Sequence, residues 1–472
     1  GVDEPTTKLD VNGSIRMRAN AINGYIIQGD ANGNMNWVNP NAIFNTNNEW
    51  HTDGNFGTTN GTDFIGTTDA QDLDIRTNNV VRARITQKGQ IETLNTGNSV
   101  FIGEGAGAND DLSDNKNVFI GKNAGAANTT GSSNTANGSS ALSSNTTGFM
   151  NTATGYRALS FNTTGYFNTA TGYQSLYSNS TGYMNTANGF NALYSNTTGD
   201  WNTANGYNAL SSNTTGSSNT ANGRRALSSN TTGYSNVAMG VSALYANTDR
   251  SNLVAIGDSA LFNNGVGTTV ALHATENTAV GSKALYANTL GWYNTALGSK
   301  ALYSNTTGRE NTAHGSNALY FNTTGSWNTA MGSKALYSNT TGNWNTAHGK
   351  DALYSNTEGD HNTATGTNAL KYNMTGNYNT AHGNSSLYSN TTGSNNTANG
   401  SNALISNTTG SNNTANGFLS LQSNTTGSYN TANGTFALYS NTVGYRNTAN
   451  GYQALYSNTS GYENSANGGL AL

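Results

Sequence analysis

The chain has 472 residues, of which 9% are charged and 34% hydrophobic, with 57 glycines, two prolines and no cysteine. A globular enzyme of that length carries about a quarter charged residues and nearly half apolar ones, so a set of ordinary compact domains is disfavoured. A formal charge of −4 without a Lys/Arg cluster gives no reason to expect nucleic acid or an anionic membrane, and the missing cysteines remove disulfides and thiolate metal sites. No apolar run approaches a membrane span, and no secretory signal is visible.

In chain order, residues 1–97 read as small β-modules. LDVNGSIRM alternates around Asn12-Gly13, a strong hairpin turn pair, and VVRARITQKGQIETL turns at Lys88-Gly89. From 98 to 472 the sequence keeps a ruler. The glycine of N-T-A-x-G falls at Gly138, Gly155, Gly172, Gly189 and onward to Gly257 in steps of seventeen residues. The count resumes at Gly281 and runs to Gly468, and Gly103 and Gly121 extend it backwards, giving about twenty-two coils. A disordered polar tract has no reason to keep such a register.

Seventeen residues rich in Gly and Asn are too few and too helix-averse for a helical repeat. They predict an all-β solenoid whose coils hold two short strands, N-T-A-x and x-A-L-Y-S, with Gly and Asn at the corners. The Ala of N-T-A and the Leu of A-L are the expected core, and stacking at about 4.8 Å per coil makes a rod on the order of 100 Å. Stacking also predicts ladders of like side chains, with an Asn column from Asn134 to Asn464 broken at Leu253. Asn263–Glu276 lengthens one coil by seven residues, a feature that in solenoids maps to a loop on one face.

The words SVFIG, NVFIG, LVAIG, NTAVG and NTALG, each followed by an Ala, resemble the head repeats of YadA-like trimeric autotransporter adhesins. The coil is longer here, and KLDVNGSI resembles segments ahead of the shaft in phage tail-fibre-like surface proteins. The resemblance implies a left-handed parallel β-roll in a parallel homotrimeric fibre. It implies an extracellular place on a cell surface or phage-like tail, with adhesin and tail fibre left open. A thin roll of small residues also buries little area alone. The x column swings between amide and apolar, through Met239, Ile256, Val280, Leu297, His314, Met331, His348 and His382, and is the candidate trimer-facing surface.

No catalytic motif, cofactor loop or metal-ligand spacing stands out. The glycines Gly103, Gly105 and Gly107 mimic part of a dinucleotide loop without a βαβ unit, and read better as a tight corner. Asp110, Asp111 and Asp114 have oxygen ligands for Ca²⁺ but not the spacing, so a solvated corner is the plainer reading. His314, His348 and His382 on alternate coils would gather on a threefold axis; a polar filler role is plainer. The rings at the varying corner before N-T-A (Trp201, Trp292, Trp327, Trp344, Tyr378 and Tyr429) are candidate ligand contacts, because exposed rings bind sugars. Packing against column neighbours is the competing reading. The function expected is a non-enzymatic adhesive rod without cofactor, metal, nucleic acid or membrane insertion, meeting a surface receptor, with a glycan as one candidate. The alternatives are an ice-binding solenoid, whose paired Thr ranks occur at Thr152/Thr154, Thr169/Thr171 and Thr363/Thr365, and a glycan-cleaving tailspike, which needs a carboxylate pair.

Overall fold

The structure, a computed structural model of the chain, describes residues 26–29, 32, 35–38, 65–94 and 96–472. The chain divides into two units, Gly1–Glu92 and Thr93–Leu472. In the first unit, β1 (Ile26–Gly29) pairs antiparallel with β2 (Met35–Val38). β3 (Leu73–Thr77) pairs antiparallel with β4 (Val80–Ile85), which neighbours β5 (Ile91–Thr93). The β3–β4 loop is Asn78–Asn79 at φ 48° and 58°; two successive positive values suit a two-residue I′ hairpin, and Asn tolerates them. Between β4 and β5, the Gly89 N–H donates to the Thr86 carbonyl at 2.8 Å. Arg84 and Arg76 reach Asp74 at 2.8 and 3.0 Å and hold its carboxyl below the usual carboxylate range. The hairpin expected at Asn12-Gly13 lies outside the described residues.

The second unit is an all-β parallel solenoid of twenty-two coils. Its three-residue strands run from β6 (Val100–Ile102) to β27 (Ser465–Asn467), and consecutive strands pair in parallel. Thr186, Ala187 and Asn188 sit against Thr203, Ala204 and Asn205, and the other pairs repeat that register. The stack is linear, because pairing follows sequence order from one end to the other.

Only one side of each coil is a strand. Ala192–Ser195, expected as a second strand, is a run of turns. Asn191 and Leu193 take φ of 53° and 52°, and the same leucine position holds 50–52° from Leu142 to Leu455. The left-handed region costs an ordinary side chain about 1–2 kcal/mol. Hydrogen bonds between coils and burial of the leucine offset it. The Leu193 N–H donates forward to Ala209 and the Asn191 N–H backward to Tyr173, both at 3.0 Å. Periodicity of apolar residues reports that this segment is buried, and does not distinguish a strand from alternating-hand turns.

Ala187, Ala192 and Leu193 are fully buried, as are their counterparts in nearly every coil. The first two coils swap the sizes. Phe101 and Phe119 take the Ala187 place, and Gly107 and Gly125 take the Leu193 place, where a Cβ would sit 2.4–2.6 Å from the phenyl ring. The Gly103–Gly107 run is therefore a packing device. The interior is so thin that one large residue demands one absent side chain opposite.

The rest of the interior is amide. Asn185 donates its side-chain N–H to the Gly199 carbonyl at 2.8 Å, and its Oδ1 accepts the Asn202 backbone N–H at 3.0 Å. Asn196, expected as part of a turn, forms a second buried ladder. Its Nδ2 donates to Asn179 Oδ1 at 2.8 Å and to the same Gly199 carbonyl at 2.9 Å. Both columns are fully buried from Asn128 to Asn447, so each amide there is tied to its own coil and to the next.

Candidate functional site

The corner before each strand is where side chains leave the rod. The residue just before the ladder Asn is in the left-handed region at Trp201, Trp327, Trp344, Tyr378 and Tyr429, with φ from 52° to 61°. The same backbone conformation in each coil projects these side chains alike, so rings one coil apart meet face to face. Trp327 stacks on Trp344 at 4.9 Å, Trp344 on His361 at 4.9 Å, and His361 on Tyr378 at 4.8 Å, all within 5° of parallel. From one position earlier in their coils, where Tyr293 and Glu310 hold the left-handed place, Arg309 and Trp292 join this line: the Arg309 guanidinium lies 4.7 Å from the Trp327 ring and 4.8 Å from Trp292. His273, from the insertion, lies on the other side of Trp292 at 5.1 Å. Four of the six ring residues picked out in the sequence thus join one column. Arg309 and His361 were missed as members; their seventeen-residue spacing from Trp292 and Trp344 was the available signal.

This stacking changes what the rings offer. Inside the column both ring faces are covered, and only edges meet solvent. Trp201 and Tyr429 stand outside it, 57% and 60% exposed. Among the described residues the one ring partner of Trp201 is Tyr183, met edge-on at 6.3 Å and 75°, and Tyr429 has none.

Besides the Phe149–Tyr166–Tyr183 stack at 4.9 Å, two longer ring columns run along other corners. Tyr245, Phe262, Tyr286, Tyr303, Tyr320, Tyr337 and Tyr354 form seven consecutive stacked rings at 5.0–5.3 Å. Burial, then its neighbours Tyr303 and Tyr337, push the Tyr320 phenol up. Tyr156, Tyr173, Phe190 and Tyr207 form the second, after the strand-ending glycine.

The x column lies on the outward face of the sheet. Met239, Ile256, Val280, Leu297, His314 and Met331 neighbour one another on successive strands. Met239, Ile256, Leu297 and Met331 are 37–41% exposed. His314, His348 and His382 are exposed on alternate coils, about 10 Å apart by coil spacing. Among the described residues no three His, Cys, Asp or Glu side chains gather as a metal set.

The acidic corner is occupied by protein donors. Asp110 Oδ2 accepts the Asn117 and Asn128 side-chain N–H groups at 3.2 and 2.9 Å, so one carboxylate caps both buried amide ladders. Its Oδ1 takes Asn115 Nδ2 at 3.1 Å. The Ser113 hydroxyl and N–H, with Asn115, hold the Asp111 carboxyl below its ordinary range. Asp110→Ala is expected to strip hydrogen-exchange protection from the Asn117 and Asn128 side-chain amides while leaving coils beyond Asn185 protected. Unchanged exchange at both amides would remove the capping role.

The insertion enters between Asn264 and Ala274, since Asn264 Nδ2 donates to the Ala274 carbonyl at 2.8 Å where other coils use the glycine three residues on. Arg250 stands where most coils carry that glycine, as does Ala274 in the next coil. Its guanidinium donates to Thr268 O at 2.9 Å and Ala271 O at 3.3 Å, clasping the loop. Its Nε approaches Asp249 Oδ1 at 3.2 Å without the alignment of a hydrogen bond. Compared with known proteins, the chain matches no family model, no curated protein and no solved structure.

Proposed function

We propose that this chain is a non-enzymatic extracellular fibre, a parallel homotrimer of left-handed β-rolls that attaches its bearer to a surface or cell, as an adhesin or a tail fibre. The observation that carries this reading is the apolar line Met239–Ile256–Val280–Leu297–Met331, interrupted only by His314, on the open face of an in-register sheet. A contiguous exposed apolar line marks an interaction surface, and three copies with coils at equal height bury their lines together about one axis. Repetition along the rod gives each surface feature many times over, which suits multivalent attachment.

Light scattering of the full chain is expected to give three times 49.1 kDa. Ile256→Asp with Leu297→Asp is expected to yield a folded single chain. A wild-type chain that is stably folded as a monomer ends the trimer reading, and failure of the trimer to coat cells or surfaces ends the adhesive one.

A further inference from the structure

The ring column that runs from Trp292 stops at Tyr378, and its stopping point is a shaped opening. The next two coils carry Asn395 and Asn412 at the same corner, and the coil after them carries Tyr429. All four residues share one backbone conformation, with φ of 55°, 58°, 60° and 59°. Their side chains therefore leave the rod along the same line. Tyr378 is stacked on His361 on one side only, and the opposite ring face looks along the rod towards Tyr429. Tyr378 and Tyr429 are 59% and 60% exposed. Three coil steps at about 4.8 Å place the two rings roughly 14 Å apart. The gap is the height of two missing rings.

Its floor is polar and unspent. Asn395 and Asn412 are exposed, and their backbone N–H groups are taken by Asn377 and Ser394 carbonyls at 3.0 Å, leaving the side-chain amides facing solvent. Alongside, Ser394, Ser411 and Ser428 are locked into a hydroxyl ladder that caps backbone N–H groups at 3.0 Å. That wall is rigid. Between Lys371 and Arg446 the chain holds no Asp, Glu, Lys or Arg, and Arg446 is paired with Glu463 at 3.2 Å. The slot has no charge with which to recognise an ion.

We propose that the gap between Tyr378 and Tyr429, floored by Asn395 and Asn412, is a binding site for a neutral oligosaccharide. A pyranose presents an apolar C–H face that covers an aromatic ring and a rim of hydroxyls that both donate and accept. A carboxamide also donates and accepts, so a hexose that covers the free face of Tyr378 or of Tyr429 finds an Asn395 or Asn412 amide at its hydroxyl rim, and the linked sugars extend sideways across the corner. The buried faces of the Trp327–Trp344–His361 stack offer no such platform. A role for the site in attachment rests on the fibre reading above; the binding chemistry does not.

The test uses the full chain, titrated calorimetrically with cellotriose, chitotriose and maltotriose, and with 3′-sialyllactose and adenosine for comparison. At least one neutral trisaccharide is expected to bind, and Asn395→Tyr with Asn412→Tyr is expected to weaken it by about tenfold or more. The double substitution extends a ring stack at a backbone conformation that already carries Tyr, so its melting temperature is expected to be unchanged or higher. Tyr378→Ser is expected to weaken binding too. The site is overturned if no neutral trisaccharide binds, if the filled variant binds as the wild type does, or if sialyllactose or adenosine binds better. Cell attachment by the same variants separates the two readings. Sugar binding lost with attachment intact keeps the site and removes its adhesive role; attachment without any sugar binding removes the site and keeps the fibre.

Discussion

Asn196→Asp is expected to destabilise the rod by about 4 kcal/mol at neutral pH, more than Asn196→Ala does. In the ladder, Asn196 donates to Asn179 Oδ1 and the Gly199 carbonyl and accepts from Asn213 Nδ2 at 2.8 Å. Alanine leaves Asn179 Oδ1 without that donor, at about 1–3 kcal/mol for the one buried group left unpaired, while Asn213 Nδ2 keeps its Gly216 contact. Aspartate keeps the acceptor for Asn213 but turns an oxygen towards two other acceptors and buries a charge. An uncompensated buried charge costs about 3–5 kcal/mol. Burial raises the carboxyl's folded pKa above its unfolded value, so the loss grows as pH rises between the two and is relieved in acid, where the protonated group again donates. Denaturant melts of both variants at two pH values check this. Because coils contact only their neighbours, the Asp variant is also expected to melt in two steps, as a rod divided at one coil. An Asp variant as stable as the wild type at neutral pH would show that this ladder is not sealed from water.

What the sequence made legible follows from the same ladder. A seventeen-residue period forces equal residues into columns, so the coil count, the core Ala and Leu, and the first Asn column could be read directly. The second Asn column was missed because N-T-T-G is also good turn chemistry, and turn residues are usually solvated. Its glycine is kept for a different reason from Gly189. Gly189 sits at φ 134°, whereas Gly199 is not in the left-handed region and is needed because a Cβ would lie 2.4 Å from the Gly216 carbonyl. The second strand failed because a leucine at φ 52° has no single-residue signature. For the candidate site, the sequence showed which residues leave the rod. It did not show that most ring faces are spent on one another, since that depends on side-chain direction set by the positive φ before each strand. The free faces at Trp201, Tyr378 and Tyr429 become visible only once the stacks are in place.

The insertion and Arg250 are expected to be one coupled unit. At the glycine corner, a Cβ meets the next coil's carbonyl at 2.2–2.6 Å from Gly131 through Gly444. Arg250 occupies that corner because the following coil detours through residues 265–273, giving its side chain room and two carbonyl acceptors. Its side chain is only 6% exposed, so the guanidinium depends on the loop for solvation. Replacing residues 265–273 with Thr-Thr, the two residues most coils carry there, is expected to cost about 3–5 kcal/mol, because it closes the corner on Arg250 and strands a buried cation. Arg250→Gly with the loop retained is expected to cost only about 1–2 kcal/mol, the loop losing two charge-assisted hydrogen bonds and becoming open to protease. Combining the short corner with Arg250→Gly and Ala274→Gly recreates the common coil, and stability is expected to return to within about 1 kcal/mol of the parent. Thermal melts across this cycle measure the coupling directly. Purely additive losses would mean that the loop and the arginine are independent, and that some other feature lets this coil dispense with its glycine. Rescue would mean that a side chain on the outside of the rod is bought by a detour in the next coil, the same rule of neighbour compensation that pairs Phe119 with Gly125 inside it.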